Sequence, residues 1–141
     1  MLLGRHMHML NPRSRGAAGE QRLDRSAYVL LSRIQVEGLM SIGQLSDAFG
    51  LDTSTLNRQT AAMLRTGVVE RMPDPEGGIA RKFAITAEGE RRLAAHRAEN
   101  LQGLEMIMAN WKPDDVAEFA GYLSRFNRDI ERLDGRPWPR G

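Results

Sequence analysis

The stretch Ser41-Ile-Gly-Gln-Leu-Ser-Asp-Ala-Phe-Gly50-Leu51-Asp52-Thr-Ser-Thr-Leu56-Asn-Arg58 decides the fold. Ser41 with Gln44 three residues later has the form of a capping box, the hydroxyl taking a first-turn amide while the glutamine reaches back. Ile42, Leu45 and Phe49 then share one apolar face, and Gly50 closes a helix of about two turns. Asp52 opens a second helix with Leu56, Thr60, Met63 and Leu64 facing inward, Gly67 as its C-cap and Val68 packing beyond it. Two short capped helices this close together form a helix-turn-helix.

Outward from this core, the spacing predicts a preceding helix capped by Asp24, with Ala27, Leu30, Leu31 and Ile34 on one face and Gly38 at its end. On the other side, Val68–Met72 and Arg81–Thr86 read as strands, Phe83 and Ile85 sharing a face, joined by the turn Pro73-Asp-Pro-Glu-Gly-Gly78. A hairpin directly after a helix-turn-helix defines a winged helix. The fold class is therefore mainly α with a small β-hairpin.

The ends of the chain read as further helices. Leu3, Met7 and Leu10 stand at helical spacing, and residues 11–22 read as loop. Thr86 caps a long helix that carries Leu93, Arg97, Leu101, Leu104, Met108 and Trp111. Pro113 starts another, on which Val116, Phe119, Leu123, Phe126, Ile130 and Leu133 alternate in steps of three and four as a heptad seam. The tail from Gly135 to Gly141 leaves that helix. We divide the single domain into residues 1–23, an N-terminal dimerisation helix and loop, residues 24–86, the winged helix-turn-helix, and residues 87–141, the C-terminal dimerisation helices and tail.

The seam must be covered. Folding back within the chain would do this, but a small winged helix has little surface to spare, so a C2 homodimer is expected. Its interface comprises Leu3, Met7, Leu10, Trp111 and the six seam residues.

On a helical wheel, Ser54, Arg58 and Ala61 lie opposite the inward residues of the second short helix, flanked by Thr55, Asn57 and Ala62. Side chains of this kind hydrogen-bond base edges and phosphates, and small alanines allow close approach to a groove wall. The expected DNA-contacting set is Thr53, Ser54, Thr55, Asn57 and Arg58 on this helix, Ser41 and Gln44 at the first, and Arg81 and Lys82 on the hairpin.

Composition narrows the function further. The 141 residues carry a net charge of only +2, with 11 basic and 8 acidic groups in residues 1–86 and 9 against 10 beyond them. That is a weak imbalance for a nucleic-acid binder. It leaves open a second reading, a winged-helix protein-interaction module that does not bind DNA. The absence of cysteine excludes disulfides, thiol catalysis, thiol oxidant sensing and thiolate zinc sites. A metal site on His6, His8 or His96 would have to recruit carboxylates such as Glu99 or Glu105, so neither metal nor cofactor is expected. No nucleophile elbow, P-loop or dinucleotide fingerprint is present, and no enzyme is expected. No apolar run suits a membrane span or a signal peptide, which makes the cytoplasm the expected compartment.

Four stretches, Leu51–Arg58, Gly67-Val-Val-Glu-Arg71, Asp74-Pro-Glu76 and Ile85-Thr-Ala-Glu-Gly89, resemble in order the motifs of the MarR (multiple-antibiotic-resistance regulator) family. The resemblance extends from Asp24 to Leu133. It implies a dimeric winged-helix regulator of transcription, usually a repressor released by a small, often aromatic or phenolic, ligand. Ser54, Asn57 and Arg58 would then read the major groove of a pseudo-palindromic operator, and Arg81 would make the wing contact. The chain departs from the family in carrying Gly77-Gly78 near the position of the usual wing-tip arginine, which points to phosphate contact rather than groove insertion. Its first helix is also short. An effector pocket is expected where the helix from Asp24 meets the long helix, near Tyr28 and Trp111.

Overall fold

The Asp24 carboxylate accepts the Ala27 N–H at 2.7 Å and the Ser26 hydroxyl at 2.8 Å, and this cap opens helix α1 (Arg25–Glu37). The computed structural model describes residues 23–140, so the expectations for Leu3, Met7, Leu10 and the loop 11–22 lie outside the described residues. Among the described residues the chain divides into two units, one running to His96 and one spanning Arg97–Trp138.

In the first unit, Ala27, Leu30, Leu31 and Ile34 are buried, as their spacing predicts. Helix α2 (Ile42–Phe49) begins with the expected capping box and ends at Gly50, and α3 (Thr53–Arg65) begins at Asp52. The C-cap of α3 is Thr66 rather than Gly67. Gly67 follows it at φ 74°, because the left-handed residue that reverses the chain belongs one position beyond the cap.

Strands β1 (Val69–Pro73) and β2 (Arg81–Ile85) pair antiparallel, with Val69 opposite Ile85 and Pro73 opposite Arg81. β1 is displaced by one residue from the sequence reading and β2 ends one residue before it, because Val68 and Thr86 serve another purpose. The Val68 N–H donates to the Met63 carbonyl and the Thr86 N–H to the Val68 carbonyl, both at 3.1 Å. A further bridge joins Met40 to Phe83, with the Phe83 N–H donating to the Met40 carbonyl at 2.8 Å. It extends the hairpin to the connection between α1 and α2. Leu30, Leu31, Ile34, Leu45, Leu56, Met63, Val68, Phe83 and Leu93 form one core beneath these elements.

Helix α4 (Ala87–Ile107) starts at this junction. The Thr86 hydroxyl accepts the Gly89 N–H at 3.0 Å and donates to the Gly67 carbonyl at 2.6 Å. On the next turn Glu88 pairs with both Arg91 and Arg92. These hydrogen bonds, Arg91 first, hold its carboxyl down at about 2.

In the second unit, α4 stops at Ile107, short of Trp111. Pro113 biases Lys112 to an extended conformation (φ −69°, ψ 147°), but α4 has already given way to a turn over residues 108–110. Trp111 instead packs edge-on to Phe119, with ring centroids 5.4 Å apart. Helix α5 (Pro113–Asp134) has Pro113 at its start and no buried residue. Gly135 ends it, and the tail turns back until the Trp138 N–H meets the Glu131 carboxylate at 3.3 Å.

Two glycines separate packing from backbone freedom. A Cβ on Gly89 would lie 2.2 Å from the Val68 carbonyl oxygen, whereas one on Gly121 would meet nothing within 4 Å. Gly89→Ala is expected to cost about 1–3 kcal/mol through overpacking. Gly121→Ala, in the middle of α5, is expected to stabilise by up to about 1 kcal/mol. Urea unfolding curves read both, and equal effects at the two sites would contradict the close approach at Gly89.

Candidate nucleic-acid interface

The outward surface of the first unit is built by helix caps. At the start of α2, Ser41 Oγ accepts the Gln44 N–H at 3.1 Å and Gln44 Oε1 accepts the Ser41 N–H at 2.9 Å. The box consumes the acceptors and leaves the Ser41 O–H and the Gln44 amide N–H groups as donors. Donors beside a helix N-terminus have the polarity that an anion requires.

Asp52 does the same for α3. Its carboxylate accepts the Thr55 N–H at 2.7 Å and the Ser54 hydroxyl at 3.3 Å. Hydrogen bonds from Thr55, ahead of those from Ser54 and the attraction of Arg58, hold this carboxyl below its ordinary 3.8. The cap thus stays charged at neutral pH and loosens only as acid protonates it below that value. Leu56, Thr60 and Met63 face the core, and the buried Thr60 hydroxyl is satisfied by the Leu56 carbonyl at 2.8 Å.

The opposite face of α3 presents Thr53, Ser54, Asn57 and Arg58 to solvent, with Thr55 half-buried beside them. Ser54 is engaged by Asp52. The side chains of Asn57 and Arg58 have no hydrogen bond or ion pair among the described residues. They are the two groups on this helix best able to form bidentate contacts with purines.

The hairpin treats its two cations differently. Arg81 is exposed, but Lys82 is drawn back onto Asp74, Nζ to carboxylate 3.2 Å, with only 14% of its side chain accessible. Lys82, also expected at the DNA, is thus held on the hairpin by the Asp74 charge across the turn. Sequence reasoning missed Arg71, whose guanidinium stands 5.9 Å from the Phe83 ring centroid. The β1–β2 register, which sets Arg71 opposite Phe83, was the available signal. At the tip Gly77 and Gly78 both have positive φ, and Ile79 is fully exposed.

The two aromatic residues expected at an effector pocket each have a ring partner in their own unit. Tyr28 stacks on His96 at 4.4 Å, and Trp111 meets Phe119.

Comparison with known proteins agrees with this geometry. The MarR family model matches residues 23–77. An uncharacterized HTH-type transcriptional regulator of Bacillus subtilis (strain 168), YxaD, is 33% identical over 106 residues, covering 75% of this chain and 74% of that protein. A crystal structure of MarR superposes with a TM-score of 0.77 at 20% identity, covering 96% of this chain and 90% of the other. The PcaV transcriptional regulator of Streptomyces coelicolor, in complex with its natural ligand, gives a TM-score of 0.64 at 19% identity, with coverages of 92% and 89%.

Replacing Asp74 by Ala removes both the Lys82 partner and the acceptor for the Glu76 N–H. The amides of Glu76 and Gly77 are expected to exchange faster in Asp74→Ala while those of β1 and β2 keep their protection. Unchanged exchange in the turn would mean that Asp74 does not hold the wing.

Proposed function

Because the chain belongs to the MarR family, whose members are regulators of transcription rather than enzymes, we propose that it acts as a homodimeric repressor on a pseudo-palindromic operator. The observation that carries this reading is the exposed, unpaired Asn57–Arg58 pair on a capped helix that follows a second capped helix. Thr53, Ser54 and Thr55 frame that pair. Ser41 and Gln44 supply donors to the phosphate backbone, and Arg81 supplies the cation of the wing. With Lys82 held by Asp74, the wing contributes one phosphate contact rather than two.

The dimer follows from α5. Phe119, Leu123, Phe126, Ile130 and Leu133 are exposed and Val116 is half-buried, all six on one heptad seam. Burying six such side chains is worth roughly 9–18 kcal/mol at ~1.5–3 each. A second copy supplies the same seam by symmetry. Two recognition helices related by a twofold axis then face half-sites about 10 bp apart, or a multiple of that. Such a protein works beside the chromosome, in the cytoplasm. Release by a small ligand is part of the proposal, and PcaV, with its natural ligand, is the structural neighbour that supports it.

The charge pattern of the hairpin supports a second reading, a protein-interaction module. Glu70, Asp74 and Glu76 offset Arg71, Arg81 and Lys82 there. Selection of bound fragments from the source genome, followed by titration over a range of salt, separates the two, because phosphate contacts make affinity fall steeply with salt. On the selected operator, Arg58→Ala is expected to cost about 1–3 kcal/mol of discrimination per half-site. Affinity within twofold of the parent would make Arg58 a surface charge only.

A Leu123→Glu/Phe126→Glu double variant is expected to sediment as a monomer or to precipitate. A soluble, still dimeric double variant would move the interface away from α5.

A further inference from the structure

A cavity of about 350 Å³ lies behind the recognition face, bounded by the start of α1, the length of α3 and the second turn of α4. Its size falls at the lower end of the ~300–1,000 Å³ typical of small-molecule sites. Leu23, Ala27 and Met63 give it apolar walls. Among the described residues, three polar groups of the lining make no ion pair or hydrogen bond with one another. Arg58, the side chain read above as base-contacting, carries a positive charge into it. Asp24, whose Oδ1 already accepts from Ser26 and Ala27 as the α1 cap, adds a negative charge to the lining, and Gln59 lines it as well. The Gln59 Oε1 atom is buried and has no hydrogen-bond partner among the described residues. Arg92 also lines the cavity, but Glu88 already holds it at 2.6 Å.

These groups set the chemistry of an occupant. A buried acceptor without a donor is unfavourable unless an N–H or O–H reaches it. A plain organic anion would satisfy Arg58 but meet the charge of Asp24. A plain amine would satisfy Gln59 and Asp24 but face Arg58. A zwitterion with an apolar side chain satisfies all three and fills the walls.

We propose that this cavity binds a free apolar α-amino acid, with its carboxylate on Arg58 and its ammonium group on Gln59 and Asp24, and that occupancy withdraws Arg58 from DNA. The ligand and the operator then compete for one guanidinium. The regulatory half rests on Arg58 as a base-contacting residue; the binding half does not.

The test begins without DNA. The full chain is titrated calorimetrically with L-leucine and L-phenylalanine, beside 4-methylpentanoate, which lacks the ammonium group, and L-leucinamide, which lacks the carboxylate. At least one amino acid is expected to bind, with each truncated analogue of leucine about tenfold weaker than leucine itself. Gln59→Leu, with its helical content checked by circular dichroism, is expected to weaken amino-acid binding by a similar factor. Failure of both amino acids to bind, or equal binding of 4-methylpentanoate and leucine, overturns the site. Operator titrations with and without the bound amino acid follow, and an unchanged operator affinity overturns the competition. Operator binding by a protein that ignores both amino acids overturns this inference alone, whereas amino-acid binding by a protein that ignores all DNA overturns the proposed function and supports the site.

Discussion

The carbonyls of Gly67 and Val68 are the point on which the first unit depends. Thr86 donates its hydroxyl to one and its N–H to the other, and Gly89 packs its Cα against the second. Three elements therefore meet within a few ångströms: the end of α3, the base of the hairpin and the first turn of α4. None can shift relative to the others without breaking a short hydrogen bond or forcing backbone atoms together. Helix α3, anchored this way, presents Asn57 and Arg58 at a fixed offset from the hairpin, which the base readout proposed for them requires.

The polar surface is sorted by a simple competition between local partners and outside ones. Where a neighbour lies two to four residues away, the side chain is taken: Ser54 by Asp52, Arg91 and Arg92 by Glu88. Lys82 is taken across the turn by Asp74. Asn57, Arg58 and Arg81 make no side-chain hydrogen bond or ion pair among the described residues, although Arg58 lies close enough to Asp52 to help hold that carboxyl down. The modest net charge of +2 is thus compatible with nucleic-acid binding, since what matters is which cations remain unneutralised on one face.

How much was legible in the sequence follows from how local each interaction is. The caps at Asp24, Ser41 and Asp52 join residues three apart, so the residue types alone identify them. The face of α3 was legible for the same reason: four inward residues on a 3.6-residue repeat define the opposite side. The bridge from Met40 to Phe83 was not, because a connection of a few residues carries no alternation to read. The Asp74–Lys82 pair needed the turn geometry, and nothing in the apolar spacing through Met108 and Trp111 marks the end of α4 at Ile107. The Gln59 Oε1 atom, without a partner among the described residues, needed the cavity itself, since nothing in a sequence marks such an atom.

The turn at residues 74–80 has a consequence for how such proteins diversify. Its base is closed by the β1–β2 pairing and the Asp74–Lys82 contact, while Gly77, Gly78 and Ile79 touch little beyond themselves. Lengthening a flexible loop raises its closure entropy only as a logarithm, by about 0.6 kcal/mol for each doubling. Insertions between the two glycines would therefore be nearly neutral for folding, yet each would change how far the wing reaches along a duplex. The reach of the wing is an evolvable parameter uncoupled from the stability of the domain, and under the proposed function drift in that one loop can give new target spacing before any change in α3.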